Sequence, residues 1–463
     1  MPRERPKTPA GPEPPRAADT IVAVATAIGE SAIGVIRVSG PDAIAVVAPL
    51  LRGPQPLATF PSHVLRRVGI VDAKRGERID EALCTVMLAP RSYTGEDVVE
   101  ISCHGSPALL RLVTRWIVAG GARLAEPGEF TRRAFLNGRL DLAQAEAVAL
   151  MIGARTERAV GLAARALAGG LADQARAWRD TLVALIADLE VVLDFPDERI
   201  GHDAETARAT IARLRAEVDR SATAARHGRV VHGGITVALV GPPNAGKSSL
   251  LNALLRCDRA IVSPTPGTTR DVVEGTVAIA GVPVRILDTA GLDVSRDPIE
   301  AEGMRRSRLA IDESDLVLVV LDSSIPPDRR ILEETKGRPR VVVLAKSDLD
   351  RHPDAAALED TVAASTVHLE GTDVLVERLA QEIGHRAAEV GDEGGIVTSL
   401  RQLELIEALS ESLASGASAY EHMPVEVALV DLKLALRLVG QILGVDVGDA
   451  VLDRIFSTFC VGK

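Results

Sequence analysis

The spacing of apolar residues divides the chain into stretches of different texture. From Thr20 onward Ile21-Val-Ala-Val24 and Gly34-Val-Ile-Arg-Val38 are short runs rich in β-branched residues, and Val98-Val-Glu-Ile-Ser102 alternates apolar with polar. These patterns predict strands. Ala108 to Val118 has helical spacing and stops at Gly120-Gly121. Residues 19–137 therefore read as an α+β domain. From Asp141 to Leu193 apolar positions recur at three- and four-residue steps, as in Leu182, Leu185, Ile186, Leu189 and Val192-Leu193. That spacing predicts long amphipathic helices. Phe195-Pro196 breaks the pattern, and Thr206 to His227 is helical again.

At Ile235 the texture becomes strand, glycine-rich loop, helix, and it alternates in this way to Ile383. Val237–Val240, Val284–Leu287, Leu316–Leu321 and Val341–Leu344 are nearly continuous apolar runs. Strands buried on both faces read this way, which predicts a mostly parallel sheet between two helical layers. Gly391 to Gly395 reads as a link, and Thr398 to Gly444 is helical once more. A helical texture that stops and resumes around an α/β segment points to an insertion. The expected organisation is a tail over 1–18, an α+β domain over 19–137, a discontinuous helical domain over 138–230 and 386–463, and an inserted α/β P-loop domain over 231–385.

Composition adds boundaries. The chain has 463 residues and a net charge of -11, with 46% hydrophobic residues but only six Phe, two Tyr and two Trp. Its cores must therefore be aliphatic, and a uniformly basic nucleic-acid coat is excluded, although a local basic surface is not. The four cysteines, Cys84, Cys103, Cys257 and Cys460, form no CxxC pair. That argues against a zinc or disulfide framework and fits a cytoplasmic location. No apolar run is long enough for a membrane span. The proline-rich first 18 residues lack the apolar core of a secretory signal and read as a disordered tail.

The chemistry concentrates in the α/β segment. Gly241-Pro-Pro-Asn-Ala-Gly-Lys-Ser-Ser249 fits G-x-x-x-x-G-K-S between an expected strand and an expected helix. That context marks a phosphate loop: Asn244, Ala245 and Gly246 turn backbone N–H groups inward, Lys247 reaches the β/γ-phosphates, and Ser248, followed by Ser249, offers a hydroxyl to Mg²⁺. Ser263-Pro264-Thr265-Pro266-Gly267-Thr268-Thr269 follows, with Thr269 a second magnesium ligand. Asp288-Thr289-Ala290-Gly291 comes after an apolar strand, so Asp288 would order the metal's water shell and Gly291 would sense the γ-phosphate. Ala345-Lys346-Ser347-Asp348 occupies the place of the base, and a carboxylate at Asp348 pairs with guanine N1–H and N2–H₂, which adenine lacks. Ser365-Thr366-Val367 is the expected last base loop.

Two departures matter. Ala345 stands where guanine switches usually carry Asn, which removes hydrogen bonds of about 0.5–1.5 kcal/mol each and predicts weaker nucleotide binding. Leu292 stands where many switches carry Gln, so the attacking water must be oriented by another group. Asn244 could help bind a monovalent cation that takes the place of an arginine finger, or could simply be a turn residue.

With these residues placed, the chain resembles the tRNA modification GTPase family known as MnmE or TrmE, over residues 19–463. Tyr93-Thr-Gly-Glu-Asp-Val-Val-Glu-Ile101, His104-Gly105, Pro127 to Glu146 and Arg454 to Lys463 carry the resemblance outside the nucleotide motifs. It implies a folate-binding-like N-terminal domain, a helical domain and an inserted G domain. It implies a homodimer that works with a flavin-dependent MnmG/GidA-family partner on wobble uridine 34 of certain tRNAs, forming a 5-carboxymethylaminomethyl or aminomethyl group. The carbon would come from 5,10-methylene- or 5-formyl-tetrahydrofolate. Carried over by position, the folate contacts are Arg37, Glu100, Arg139 and Lys463, with Arg139 where many relatives have Lys. The potassium ligands would be Asn244, Ser263, Thr265 and Thr268. Glu300 would serve hydrolysis, and Cys460 would lie near the folate-derived carbon as nucleophile, proton donor or structural group. The competing expectation is a ribosome-assembly GTPase without modification chemistry.

Overall fold

The computed structural model describes residues 19–194, 203–256, 273–288, 308–368, 370–388, 399–445 and 447–463. The described chain forms two compact units. One joins the described part of Met1–Ala145 to Gly444–Lys463, and the other is Glu146–Leu443.

In the first unit the strands are β1 (Ile21–Val24), β2 (Ser31–Ser39), β3 (Leu51–Arg52), β4 (Arg66–Val71), β5 (Arg78–Met87), β6 (Val98–Gly105) and β7 (Arg123–Leu124). They form one sheet in the order β3-β4-β5-β6-β2-β1-β7. Neighbours are antiparallel except β1 and β7. The period-2 alternation sends Ile36, Val38, Val99, Ile101, Ile70 and Val86 to a buried face. There they meet α1 (Ala43–Val47) and the Leu110, Val113 and Ile117 stripe of α2 (Pro107–Ala119). The helix begins with Pro107 in its first turn and ends at Gly120, as the sequence leads one to expect. Gly34 is needed for close packing, because a Cβ there would lie 2.6 Å from Leu110 Cδ1.

The unit is completed by α3 (Glu129–Leu136) and the start of α4 (Leu142–Gly153). In the second unit follow α5 (Glu157–Leu167), α6 (Gly170–Asp194) and α7 (Ala204–Gly233), the last capped by Asp203, whose carboxylate accepts from Glu205 N–H at 3.0 Å. The expected break at Phe195-Pro196 and the expected link at Gly391–Gly395 lie outside the described residues, as does the expected tail over 1–18.

The α/β segment carries β8 (Ile235–Val240), α8 (Lys247–Arg256), β9 (Val273–Ile279), β10 (Val282–Asp288), β11 (Leu316–Asp322), α9 (Arg329–Glu334), β12 (Arg340–Ala345), α10 (Pro353–Ala356), β13 (Thr361–Ala364) and α11 (Thr372–Ala388). Its sheet has the order β13-β12-β11-β8-β10-β9. All pairs are parallel except β9 with β10. The apolar runs named from sequence lie inside β8, β10, β11 and β12 and, except for the exposed Arg285, are buried, as strands covered on both faces must be. β9 and β10 join through Ala280 and Gly281, both at positive φ (52° and 76°), the geometry that a tight hairpin requires.

The chain returns to helix as α12 (Leu400–His422) and α13 (Val425–Leu443), which pack on each other and on α7 and α6. Helices before and after the α/β segment are tied by Glu146, which is 5% exposed. Its carboxylate accepts from Ser399 Oγ at 2.9 Å, Arg401 Nη2 at 2.7 Å and Gln402 Nε2 at 2.5 Å. A buried carboxylate is retained only when so satisfied. The α/β segment is thus flanked on both sides by helices that pack together.

The last stretch, with α14 (Asp449–Phe456), groups with the first unit, whereas the sequence pattern alone places 386–463 with the helices. The reason is local: Val461 forms a β-bridge with Pro127. Gly128 also fits so closely that a Cβ there would meet Phe456 O at 2.5 Å.

Candidate functional site: the carboxyl edge of the parallel sheet

In an open parallel sheet, ligands bind beyond the carboxyl ends of the strands. Every described nucleotide residue named from sequence lies there. The loop Gly241–Gly246 joins the end of β8 to α8. It sits hard against β11, since a Cβ on Gly241 would lie 2.2 Å from Val320 O. Asn244 (φ 61°) and Gly246 (φ 99°) take left-handed backbone, which Asn and Gly tolerate best. Such turns point successive N–H groups inward, a cradle for anionic oxygen. Ala245 is buried at 1% exposure, and Ser249 is the third residue of α8.

Lys247, the first residue of α8, is buried, and its Nζ donates to Gly241 O at 2.7 Å and Pro242 O at 2.8 Å. The ammonium thus spans the loop that it would serve. Next to it, Ser248 Oγ donates to Asp288 Oδ2 at 3.1 Å, joining the start of α8 to the end of β10. A hydroxyl and a buried carboxylate are hard oxygen donors, and the pair fits Mg²⁺.

The base end is built by β11, β12 and β13. Lys346 has left-handed backbone (φ 58°) and its Nζ donates to Asp322 Oδ2 at 2.6 Å. Burial pushes the Asp322 carboxyl up, but bonds from Lys346 and Ser324 outweigh it and hold it below its ordinary range. Asp348 is exposed, and its Oδ1 accepts from the buried Ser365 Oγ at 2.6 Å. That bond holds the Asp348 carboxyl low, so it is an acceptor at neutral pH. Thr366 is half-buried and Val367 is exposed, so Ser365 is the member of the expected base loop that touches Asp348. Ala345 is buried under the phosphate loop: a methyl placed on Gly246 would lie 3.6 Å from Ala345 Cβ. It fills space there and offers no side-chain hydrogen bond.

Asp322 was not singled out from sequence. Its signal was a charged residue ending the apolar run Leu316–Leu321, where a buried strand gives way to the ligand edge. Ser263, Pro264, Thr265, Pro266, Gly267, Thr268, Thr269, Thr289, Ala290, Gly291, Leu292 and Glu300 lie outside the described residues.

A second polar cluster lies in the first unit. Arg37 on β2 faces Glu100 on β6 in register, with Nε to Oε1 at 2.7 Å. The guanidinium lies 5.2 Å from the Tyr93 ring centre and 5.7 Å from that of Phe130, and Nη1 donates to Gly462 O at 3.3 Å. Tyr93 OH and Thr131 Oγ1 are 2.8 Å apart. Burial pulls the Lys463 amine below its ordinary range, helped by Arg37 and opposed by Glu100 and Cys460. The structure therefore gathers Arg37, Glu100, Cys460 and Lys463. Arg139 is exposed and is held by Ser92 O at 3.0 Å. Cys460 is exposed, whereas burial pushes the Cys84 thiol up to about 12 and the Cys103 thiol up to about 11. Tyr93 and Phe130 were missed as site residues, because isolated aromatics carry no spacing signal.

Among the described residues no group of three or more His, Cys, Asp or Glu is placed to hold a metal, and no helix is long and apolar enough to cross a membrane.

Comparison with known proteins covers most of the chain. The family described as "GTP-binding protein TrmE N-terminus" matches residues 20–139, and "MnmE helical domain" matches residues 142–460. A tRNA modification GTPase MnmE of Moorella thermoacetica is 43% identical over 461 residues, covering 96% of this chain and 99% of that protein. Those of Chloroflexus aurantiacus and Geobacter sulfurreducens are 43% and 42% identical, each over 96% of this chain and covering 100% and 99% of the relative. Among solved structures, Aquifex aeolicus Era bound to GDP·AlF4⁻ is 25% identical over 38% of this chain and 66% of its own, with a TM-score of 0.26. The G domain of the T. maritima FeoB iron transporter is 29% identical over 33% of this chain and 98% of its own, with a TM-score of 0.25. Near-full-length identity, both family matches and a phosphate loop at the carboxyl edge of the inserted sheet agree: the chain belongs to the family of the tRNA modification GTPase MnmE.

Proposed function

We propose that this chain is a potassium-assisted GTPase that, with a flavin-dependent MnmG/GidA-type partner, modifies C5 of wobble uridine in tRNA. GTP hydrolysis in tRNA modification follows from family membership. The finer reading is supported chiefly by one observation: a nucleotide edge and a separate Arg37–Glu100–Lys463 cluster coexist in one chain.

Lys247 would exchange the Gly241 and Pro242 carbonyls for phosphate oxygens, while the loop N–H groups hold the remaining charge. Ser248 and Thr269 would ligate Mg²⁺, which neutralises phosphate charge when bound, and Asp288 would order its water shell. Asp348, kept ionised and oriented by Ser365, would select guanine. Asn244 would lend its carboxamide oxygen to K⁺, with Ser263, Thr265 and Thr268 as further ligands and Glu300 orienting water.

Arg37, Glu100, Arg139 and Lys463 would hold the folate. Guanidinium and ammonium groups pair with its carboxylates, and a carboxylate reads the pterin edge, so the donor set fits. Cys460 would stand near the transferred carbon. A homodimer is the expected assembly.

The test is mass spectrometry of wobble nucleosides. A deletion strain should lack the modified uridine, wild-type chain should restore it, and Cys460→Ser should fail to while hydrolysing GTP normally. Full modification in the deletion strain would refute the reading. Hydrolysis equally fast in NaCl and KCl would remove the potassium part alone.

A further inference from the structure

Strand β3 lies at one edge of the first unit's sheet, where it pairs with β4, which in turn pairs with β5. In register, Arg52 on β3 stands opposite Gly69 on β4, and Gly69 stands opposite Glu81 on β5. Gly69 leaves no side chain between them. Arg78 folds over the gap instead, so that a Cβ on Gly69 would lie 3.3 Å from Arg78 Nε. The result is a surface cleft of about 390 Å³ whose lining includes Arg52, Arg67 and Arg78 together with Gly53 and Gly69.

The charges in this cleft do not balance. Arg67 and Arg78 share a single carboxylate, that of Glu81. Among the described residues, Arg52 Nη1 donates to main-chain carbonyls, those of Leu51 at 3.0 Å and Pro49 at 3.3 Å. Among the described residues, three guanidinium groups thus face one acid, on a chain whose net charge is -11. Arg67 and Arg78 have side chains 74% and 54% exposed, so their donor edges are open to solvent. Guanidinium forks match phosphate oxygens bidentately, and convergent cations on an otherwise acidic protein steer a polyanion to one place.

We propose that the Arg52–Arg67–Arg78 cleft binds the phosphate backbone of RNA. This rests on the reading that tRNA is the substrate, and it assigns that substrate a contact surface on the first unit, whereas the nucleotide edge belongs to the second. Glu81 acts as a competitor that holds two of the arginines until phosphate replaces it.

The test uses full-length protein and a fluorescent tRNA transcript, with anisotropy measured across 50–200 mM salt, a range in which phosphate contacts register strongly. The triple variant R52Q/R67Q/R78Q should weaken binding on the order of tenfold and flatten the slope of log K against log salt by about 2. GTP hydrolysis without tRNA should not change. Glu81→Gln should tighten binding a few-fold, and this arm decides the matter if the triple variant does not fold. Wild-type protein that binds no tRNA would sink the substrate reading. Wild-type binding with unaltered affinity and slope in both variants would sink the cleft alone. Displacement of the tRNA by a few millimolar inorganic phosphate would show a small-anion site and overturn the RNA assignment.

Discussion

The carboxyl edge of the α/β sheet and the Arg37 cluster of the first unit both hold charged groups partly out of water, but they are assembled differently. At the edge, each polar group stands where a strand ends: Lys247 and Ser248 after β8, Asp288 on β10, Asp322 on β11, Lys346 and Asp348 after β12, Ser365 after β13. Backbone geometry sets their positions, through Gly241 pressed on Val320 and positive φ at Asn244, Gly246 and Lys346. In the first unit, Arg37 and Glu100 lie mid-strand on a sheet face, and their neighbours arrive from remote sequence, Gly462 and Lys463 among them. The first arrangement fixes main-chain donors and tolerates variation among side chains. The second depends on which side chains meet.

Substitutions can pull the two apart. The largest effect is expected for Lys247→Ala, which should lower GTP hydrolysis by roughly 10²–10³-fold, the usual loss when one transition-state donor is removed. Equilibrium dialysis with a tetrahydrofolate should show the first unit still binding, and joint loss would mean that the two sites are not separate. Asp348→Asn should weaken GTP by about 100-fold, in line with a lost charged hydrogen-bond pair, and should gain xanthosine triphosphate. Unchanged base preference, read by competition, would remove Asp348 from the base site. Arg37→Gln should weaken folate by about tenfold or more while hydrolysis stays at wild-type level, because it strips the ion pair from Glu100. A fall in hydrolysis instead would join the sites. The smallest effect is Ala345→Asn, which should tighten a fluorescent guanine nucleotide roughly three- to tenfold by restoring about 0.5–1.5 kcal/mol of hydrogen bonding. Weaker binding would show that the space beside Gly246 has no room for an amide.

The same contrast explains what the sequence made legible. The phosphate loop, its strand and its helix were readable because the motif and its flanks are contiguous, and β8, β10, β11 and β12 announced themselves as apolar runs. Strand β9, Val-Glu-Gly-Thr-Val-Ala-Ile, was not singled out; among the described strands it lies at the sheet's edge beside β10, and its apolar run is broken by Glu274, Gly275 and Thr276. Asp322 was missed for lack of a motif, although a buried strand ending in a carboxylate is itself a signal. The charge cluster needed family resemblance, because nothing local links position 37 to 100 or 463. The placement of Gly444–Lys463 with the first unit depends on the bridge from Val461 to Pro127 and the close fit at Gly128, which hydrophobic periodicity does not encode.

The unequal burial of the cysteines has a practical consequence. Cys84 and Cys103 are shut away with thiols pushed far above neutrality, whereas Cys460 is exposed two residues before Gly462, whose carbonyl meets Arg37. In a chain with Cys257 changed to Ser, a maleimide dye or nitroxide at neutral pH should mark Cys460 and pass over the other two, since thiolate and access together govern such reactions. The fold thus supplies its own attachment point for a spectroscopic reporter, placed beside the charges whose occupancy one would wish to watch.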